Sequence, residues 1–120
     1  MIALLAAALQ GLTPPPVASW RDLPVFPLSR TTAPDEGSAF VKAEIAAGRC
    51  SVPPEGSDLV APIAILVGPT GAIRQIVPQA IGCPTVEQYT VGYLMTLTRA
   101  APGSTPPRAG WYSLAIEYHW

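Results

Sequence analysis

The stretch LVAPIAILVGPTGAIRQIVP, residues 59–78, determines the fold that the sequence predicts. Its first nine residues are apolar on both faces, as in a strand that is covered on both sides or lies centrally in its sheet. GPTG then forms a tight turn and AIRQIVP returns as a second strand, so the stretch predicts a β-hairpin. Pro62 is unusual in such a strand because it lacks the N–H group that a sheet ladder uses.

A short helix is predicted before the hairpin, in the stretch DEGSAFVKAEIAAGRC. Ser38 is placed to cap its N-terminus, and Phe40, Val41 and Ile45 form its apolar stripe. Gly48 ends the helix at the position after the C-cap, where glycine is common.

A second helix is predicted after the hairpin, in the stretch IGCPTVEQYTVGYLMTLTR. It begins either with Pro84 as its first helical residue or, one residue later, with a capping box formed by Thr85 and Gln88. The apolar residues that recur at helical spacing and would pack on the sheet are Val86, Tyr89, Tyr93, Leu94 and Leu97.

The last ten residues, WYSLAIEYHW, alternate as a half-buried strand does. The order helix, strand, strand, helix, strand predicts an α+β fold, a two-layer sandwich in which two helices pack on one face of a small antiparallel sheet of about three strands. One face of the last strand carries Tyr112, Leu114, Ile116, Tyr118 and Trp120, and the other carries Trp111, Ser113, Ala115, Glu117 and His119.

The first 34 residues fall outside this α+β pattern, which occupies residues 35–120. Residues 1–10 are mostly apolar but too few to span a bilayer, which needs about 20, and they match a signal-peptide h-region. No Lys or Arg precedes them, so a buried N-terminal helix is the alternative. Residues 11–34 are proline-rich and aperiodic, which predicts either an extended arm laid across the domain or a linker.

Composition limits the classes of function. The chain has 120 residues, of which 49% are hydrophobic and 12% charged, so it has enough apolar residues for the core of one small domain. The formal net charge is −1 and no run of basic residues occurs, so the electrostatic signature of a nucleic-acid-binding protein is missing.

The two cysteines flank the hairpin, with Cys50 before its first strand and Cys83 after its second. Because the two ends of a hairpin are neighbours, we expect a Cys50–Cys83 disulfide, with two free thiols as the alternative. A disulfide indicates an oxidising compartment. Together with the predicted signal peptide, it indicates a periplasmic or secreted protein.

Other roles for Cys83 are possible in principle. At a helix N-terminus it is a candidate nucleophile, with His119 as its base, which defines the alternative of a small thiol-dependent enzyme. As metal ligands, Cys50, Cys83 and His119 lack any CxxC or HxxxH spacing. GPTG joins two strands and therefore lacks the context of a phosphate loop. The sequence thus predicts no catalytic, metal or cofactor site.

The motifs EIAAGRC, APIAILVGPTGAIRQIVP, IGCPTVEQYTVGYLMTLTR and GWYSLAIEYHW, in this order, resemble the C-terminal domain of TonB-type energy transducers. The resemblance covers roughly two-thirds of the chain, from Glu44 to Trp120. It implies a stand-alone periplasmic domain that binds other proteins rather than an enzyme.

In that family the last strand lies at the sheet edge and takes up an extended segment of an outer-membrane receptor through main-chain hydrogen bonds. The resemblance therefore implies a protein partner, and a homodimer through the same edge is a further possibility. In the alternative interpretation, the proline-rich arm covers this edge and makes the domain self-contained. By position, the partner-binding residues would be Trp111, Ser113, Ala115, Glu117 and His119.

Overall fold

The computed structural model describes residues 13–28, 30–51, 55–99 and 106–120. The elements are a 3₁₀ helix (Val17–Asp22), α1 (Asp35–Ala46), β1 (Asp58–Val67), β2 (Ile73–Pro78), α2 (Pro84–Arg99) and β3 (Gly110–His119). The predicted order α-β-β-α-β is confirmed, and the 3₁₀ helix within the arm is an addition to it. The predicted signal-peptide region, residues 1–10, lies outside the described residues.

The sheet has three strands in the order β2-β1-β3, and both pairs are antiparallel. Ile63 and Ile65 are fully buried on the face that carries the helices, and Ala64 is fully buried on the opposite face. The 3₁₀ helix lies against β3. Residues 63–67 of β1 are buried on both faces of the sheet, which explains why this part of the strand is apolar throughout.

The position of Pro62 shows how a proline is accepted in the central strand. Its carbonyl accepts a hydrogen bond of 2.9 Å from the amide of Gln79, just beyond Ile63 and Pro78, the last paired residues of β1 and β2. The N–H group that Pro62 lacks would therefore point to β2 at the end of the β1–β2 ladder. On the other side Pro62 lies opposite Ala115, at a position where β3 directs its main-chain groups outward.

The first helix begins earlier than its predicted cap. Pro34 is the N-cap of α1, so the prediction that Ser38 caps this helix is wrong. Ser38 is instead buried in the first turn, where its Oγ accepts a hydrogen bond of 3.1 Å from the amide of His119. The predicted C-terminus is confirmed, because Gly48 follows the C-cap Ala47 with φ +74°.

The second helix begins at Pro84, the first of the two predicted starts. The predicted capping box of Thr85 and Gln88 is replaced by a contact of Glu87. Its Oε2 accepts hydrogen bonds from the amides of Ile81 and Cys83, at 3.0 and 3.2 Å. A carboxylate is the stronger acceptor for such amides and also interacts favourably with the helix dipole.

The core lies between the two helices and the sheet. Val41 of α1, Val86 and Leu94 of α2, and Ile63 and Ile116 of the sheet have no exposed surface. On β3 the predicted inward face is confirmed: Leu114, Ile116 and Tyr118 are buried, whereas Tyr112 and Trp120 are partly buried against the same core.

Candidate functional site

The two cysteines form a disulfide, as the hairpin geometry predicts. The Cys50 and Cys83 sulfur atoms are bonded and their Cα atoms lie 4.1 Å apart. Both residues are buried. Because the chain has only these two cysteines, neither is a free thiol or thiolate ligand, and the alternative of a thiol-dependent enzyme using Cys83 lacks its nucleophile.

His119 also has a different role from the one considered for a catalytic base. Its Nδ1 lies 2.6 Å from Oδ1 of Asp58, the residue opposite it on β1. Both side chains are more than half exposed, so this is a surface ion pair between neighbouring strands when His119 is protonated. In the described part of the chain, no three His, Cys, Asp or Glu side chains cluster as metal ligands.

Polar contacts surround the disulfide and join the two helices. Glu44 of α1 forms an ion pair with Arg49. A hydrogen bond from Thr85 lowers the pKa of Glu44, and the Arg49 hydrogen bond and charge add to this effect, against the opposing effect of burial. Near the bridge, the amide of Ser51 donates a 2.6 Å hydrogen bond to the carbonyl of Gly82. These contacts connect the end of α1 to the start of α2 beside the disulfide, so this region has a structural role.

The outer edge of β3, which the family resemblance assigns to a partner, is occupied by the arm of the same chain. Val25 lies parallel to Ser113 and forms an isolated bridge with it. The amide of Ser113 donates to the carbonyl of Pro24, and the amide of Phe26 donates to the carbonyl of Ser113, both at 2.9 Å. This is the hydrogen-bond pattern of a parallel strand pair.

A second bridge joins Thr32 to Glu117. The amide of Glu117 donates to the carbonyl of Thr31, and the amide of Ala33 donates to the carbonyl of Glu117, both at 2.8 Å. These contacts lie directly before α1, so the arm reaches the helical layer along the sheet edge. The alternative interpretation, in which the arm covers the edge strand, matches these contacts.

The arm does not follow β3 continuously between the two bridges. The second bridge lies four residues further along β3 but seven residues further along the arm. The amide of Leu28 donates a 2.9 Å hydrogen bond to the carbonyl of Phe26 across Pro27, which is a γ-turn. This turn bends the arm out of register opposite Ala115, in the middle of the predicted binding edge.

Buried side chains anchor the arm. Trp20 is 6% exposed, and its indole N–H donates a 2.8 Å hydrogen bond to the carbonyl of Pro15. Phe26 is also 6% exposed and meets the ring of Tyr112 edge-on, with 5.9 Å between the ring centroids. Val25, which precedes it, is 71% exposed. The arm thus turns one side chain into the domain and the next toward solvent.

The five predicted edge residues therefore differ in their surroundings. Ser113 and Glu117 bind the arm through their main chains, and the amide of His119 binds Ser38. Trp111 and Ala115, opposite Leu66 and Pro62 on β1, are half-buried. The sequence placed apolar residues in the arm but carried no signal for which strand they join, because main-chain pairing leaves no side-chain signature.

An open cavity of about 650 Å³ lies beside the anchor of the arm. It is bounded by the arm, by β2 and its preceding turn, and by the second half of α2. Its apolar lining side chains include Phe26, Leu28, Ile73, Ile76, Val91 and Met95. Such a surface offers apolar contact rather than acid–base chemistry.

No family model, curated protein or solved structure matches the chain. The resemblance to TonB C-terminal domains stays a prediction from the order of the motifs. Across the described ranges, none of the helices is both long enough and apolar enough to cross a bilayer.

Proposed function

We propose that this protein is an exported interaction domain of the TonB C-terminal type that binds an extended segment of a protein partner by strand addition at the outer edge of β3. In the unbound protein the arm holds this edge, and the partner displaces the first part of the arm, around Val25 and Phe26. The second part, at Thr32 and Ala33, stays attached because it leads directly into α1.

The observation that carries the proposal is the parallel pairing of the arm with β3. Four main-chain hydrogen bonds, two at Ser113 and two at Glu117, hold an extended segment on this edge. The edge therefore has the geometry that a strand-adding partner requires. Its own arm demonstrates the direction in which such a segment fits.

The incomplete pairing between the arm and β3 favours displacement of the arm by a partner. Pro24 has no N–H to donate to β3, and the γ-turn at Pro27 takes the arm out of register opposite Ala115. A partner segment that stayed in register could add main-chain bonds there. Each such bond contributes about 0.5–1.5 kcal/mol net. A continuous strand is therefore the better ligand for this edge.

The disulfide supports the proposed location. Bridges of this kind persist in the periplasm and outside the cell and are rare in the cytosol. The Cys50–Cys83 bridge lies at the base of the hairpin, and both of its residues are buried. We therefore assign it a stabilising role in an exported domain.

A second candidate function is that of a self-contained structural domain whose edge stays closed. The burial of Trp20 and Phe26 favours it. Covering an edge strand with proline-containing chain is also a common protection against aggregation. The two candidates differ in one respect only, which is whether the arm leaves β3 when an envelope protein is present.

Site-specific cross-linking distinguishes the two candidates. A photo-reactive amino acid replaces Ala115, midway between the two arm bridges, and the matched control carries it at Lys42, an exposed residue of α1. Both proteins are irradiated with an envelope fraction, and the products are identified by mass spectrometry. We expect a product of one defined partner from position 115 only.

A locked arm provides the decisive comparison. In the variant Val25→Cys/Ser113→Cys, paired positions on neighbouring strands lie within the reach of a disulfide. The lock should abolish the product from position 115, and mild reduction should restore it, because the native bridge is buried whereas Val25 is exposed. A product that persists in the locked form would contradict strand addition at this edge. Absence of any product with the arm free would support the self-contained domain.

A further inference from the structure

We propose that the segment bound by β3 is selected by a large apolar side chain, best an aromatic one, at the place that Phe26 occupies. This inference rests on the proposed function and adds the chemical class of the ligand. The arm serves as the internal copy of that ligand. The partner would run parallel to β3 and place its aromatic residue directly after the residue that pairs with Ser113.

The site of Phe26 has the features of an anchor pocket. The Phe26 amide binds the carbonyl of Ser113, and its ring turns to the face of the sheet that carries the helices. There it meets Tyr112 edge-on, an arrangement that favours an aromatic ligand over an aliphatic one. Tyr112 is itself held, because its hydroxyl donates a 2.7 Å hydrogen bond to the carbonyl of Arg108.

The surroundings of this pocket allow a side chain larger than phenylalanine. Phe26 lines the open apolar cavity of about 650 Å³, whose opposite wall includes Val91 and Met95 of α2. A tryptophan ring at this position could extend into the cavity and gain further apolar contact. By contrast, the preceding position is occupied by Val25, which is 71% exposed, so it contributes little selectivity.

A partner segment must compete for β3 with the arm, which belongs to the same chain. A segment linked to its own site competes at an effective concentration in the millimolar range. Removing the Phe26 ring from the arm should weaken this competition and leave the anchor pocket vacant. A peptide that supplies the missing ring should then bind the variant more tightly than it binds the native chain.

The test uses the full chain and fluorescent peptides. The receptors are the native protein and the variant Phe26→Ala. The parent peptide has the sequence of residues 22–33 with Pro24→Val, which restores a main-chain donor that faces β3, and Pro27→Thr, which removes the proline of the γ-turn. Three further peptides add Phe26→Ser, Phe26→Trp or, as the matched control, Val25→Ser. Fluorescence anisotropy gives the dissociation constants, and circular dichroism with thermal melting verifies that the receptor is folded.

We expect the parent peptide to bind the Phe26→Ala receptor at least about tenfold more tightly than the native protein. In the peptide, Phe26→Ser should weaken binding by at least about tenfold, Phe26→Trp should keep it, and Val25→Ser should change it by less than about threefold. Equal binding of the parent and Phe26→Ser peptides would overturn the inference. So would a parent peptide that binds neither receptor.

Two controls keep the outcome decisive. If Phe26→Ala does not fold, Phe26→Leu takes its place as a receptor with a smaller vacancy. The cross-linking experiment at Ala115 does not depend on any peptide, so the two proposals can fail separately. A partner product from position 115, combined with indifference of the peptides to residue 26, would retain strand addition and reject the aromatic anchor.

Discussion

The hydroxyl oxygens of Thr90 and Tyr118 lie 2.7 Å apart in the fully buried core and connect α2 to β3. The Thr90 hydroxyl also donates a 2.7 Å hydrogen bond to the carbonyl of Val86. Since that bond uses the only proton of Thr90, the Tyr118 hydroxyl must be the donor between the two. Tyr118 therefore needs Thr90 as the acceptor of its hydrogen bond, whereas Thr90 keeps its own hydrogen bond to Val86 when Tyr118 is changed.

This inequality predicts different costs for the two single substitutions. Thr90→Val leaves the buried Tyr118 hydroxyl without its acceptor and should lower the free energy of unfolding by about 1–3 kcal/mol. Tyr118→Phe removes a donor but leaves Thr90 bonded to Val86, so its cost should be about 1 kcal/mol. Urea denaturation measures both values, and the double variant should be no less stable than Thr90→Val alone. Equal costs would mean that the assigned donor direction is wrong.

Tyr118 also predicts a loss of stability at alkaline pH. Burial is the largest effect and raises the pKa of Tyr118 to about 12 from 10.0. The folded state thus favours the neutral phenol, and its contribution is fully present below pH 10 and lost as the pH rises toward 12. Unfolding free energies at several pH values should show this decline, which Tyr118→Phe should reduce. Tyr93→Phe, at a partly buried tyrosine of α2, is the control and should leave most of the decline in place.

The disulfide predicts a large effect of reduction. Cys50 and Cys83 are 33 residues apart, and closing a loop of that length stabilises a protein by about 3–4 kcal/mol on a chain-entropy model. The variant Cys50→Ala/Cys83→Ala should lose about this amount in thermal or urea unfolding. Reductant should destabilise the native protein and leave this variant unchanged, because the chain has no other cysteine. A reductant effect on the double variant would point to a cause other than the bridge.

Two glycines predict opposite responses to the same change. Gly71, in the β1–β2 turn, has φ +84°, and an added Cβ would collide with the ring of Pro106. Gly71→Ala should therefore lower the unfolding free energy by more than about 1 kcal/mol. Gly92 lies within α2, and an added Cβ would meet nothing within 4 Å. Gly92→Ala should raise stability by up to about 1 kcal/mol. A neutral Gly71→Ala would contradict the close contact with Pro106.

We expect the two bridges between the arm and β3 to open separately. Phe26→Ala removes the anchor next to the first bridge, so the amide of Ser113 should exchange with solvent at least about tenfold faster. The amide of Glu117, held by the second bridge beside α1, should change much less. Hydrogen exchange followed by NMR measures both, with Val25→Ala, an exposed neighbour, as the control. Equal acceleration at both amides would show that the arm opens as one unit.

Local patterns were sufficient for most of the fold. The apolar run before GPTG predicted the central strand, and the two-residue alternation of the last segment predicted which side of β3 is buried. The hairpin geometry predicted the pairing of Cys50 with Cys83. These features depend on neighbouring residues, on the periodicity of helices and strands, and on the special backbone of glycine and proline.

The contacts of the candidate site could be predicted only in part from such local patterns. The helix caps were only partly predicted, since Ser38 binds β3 and Glu87 replaces the Thr85–Gln88 box. Both differences arise from competition among several nearby polar groups for the same amides. The sequence also allowed the arm to be either a linker or a cover, because proline-rich chain is compatible with both.

The sequence by itself therefore determined the order of the elements, the buried face of β3 and the Cys50–Cys83 link. The tertiary structure alone decided that two parts of the arm, residues 24–26 and 31–33, pair with the outer edge of β3. That edge is recognised through backbone N–H and C=O groups, which every residue type except proline offers equally. Only the folded chain, by burying Trp20 and Phe26, brings one particular segment to those groups.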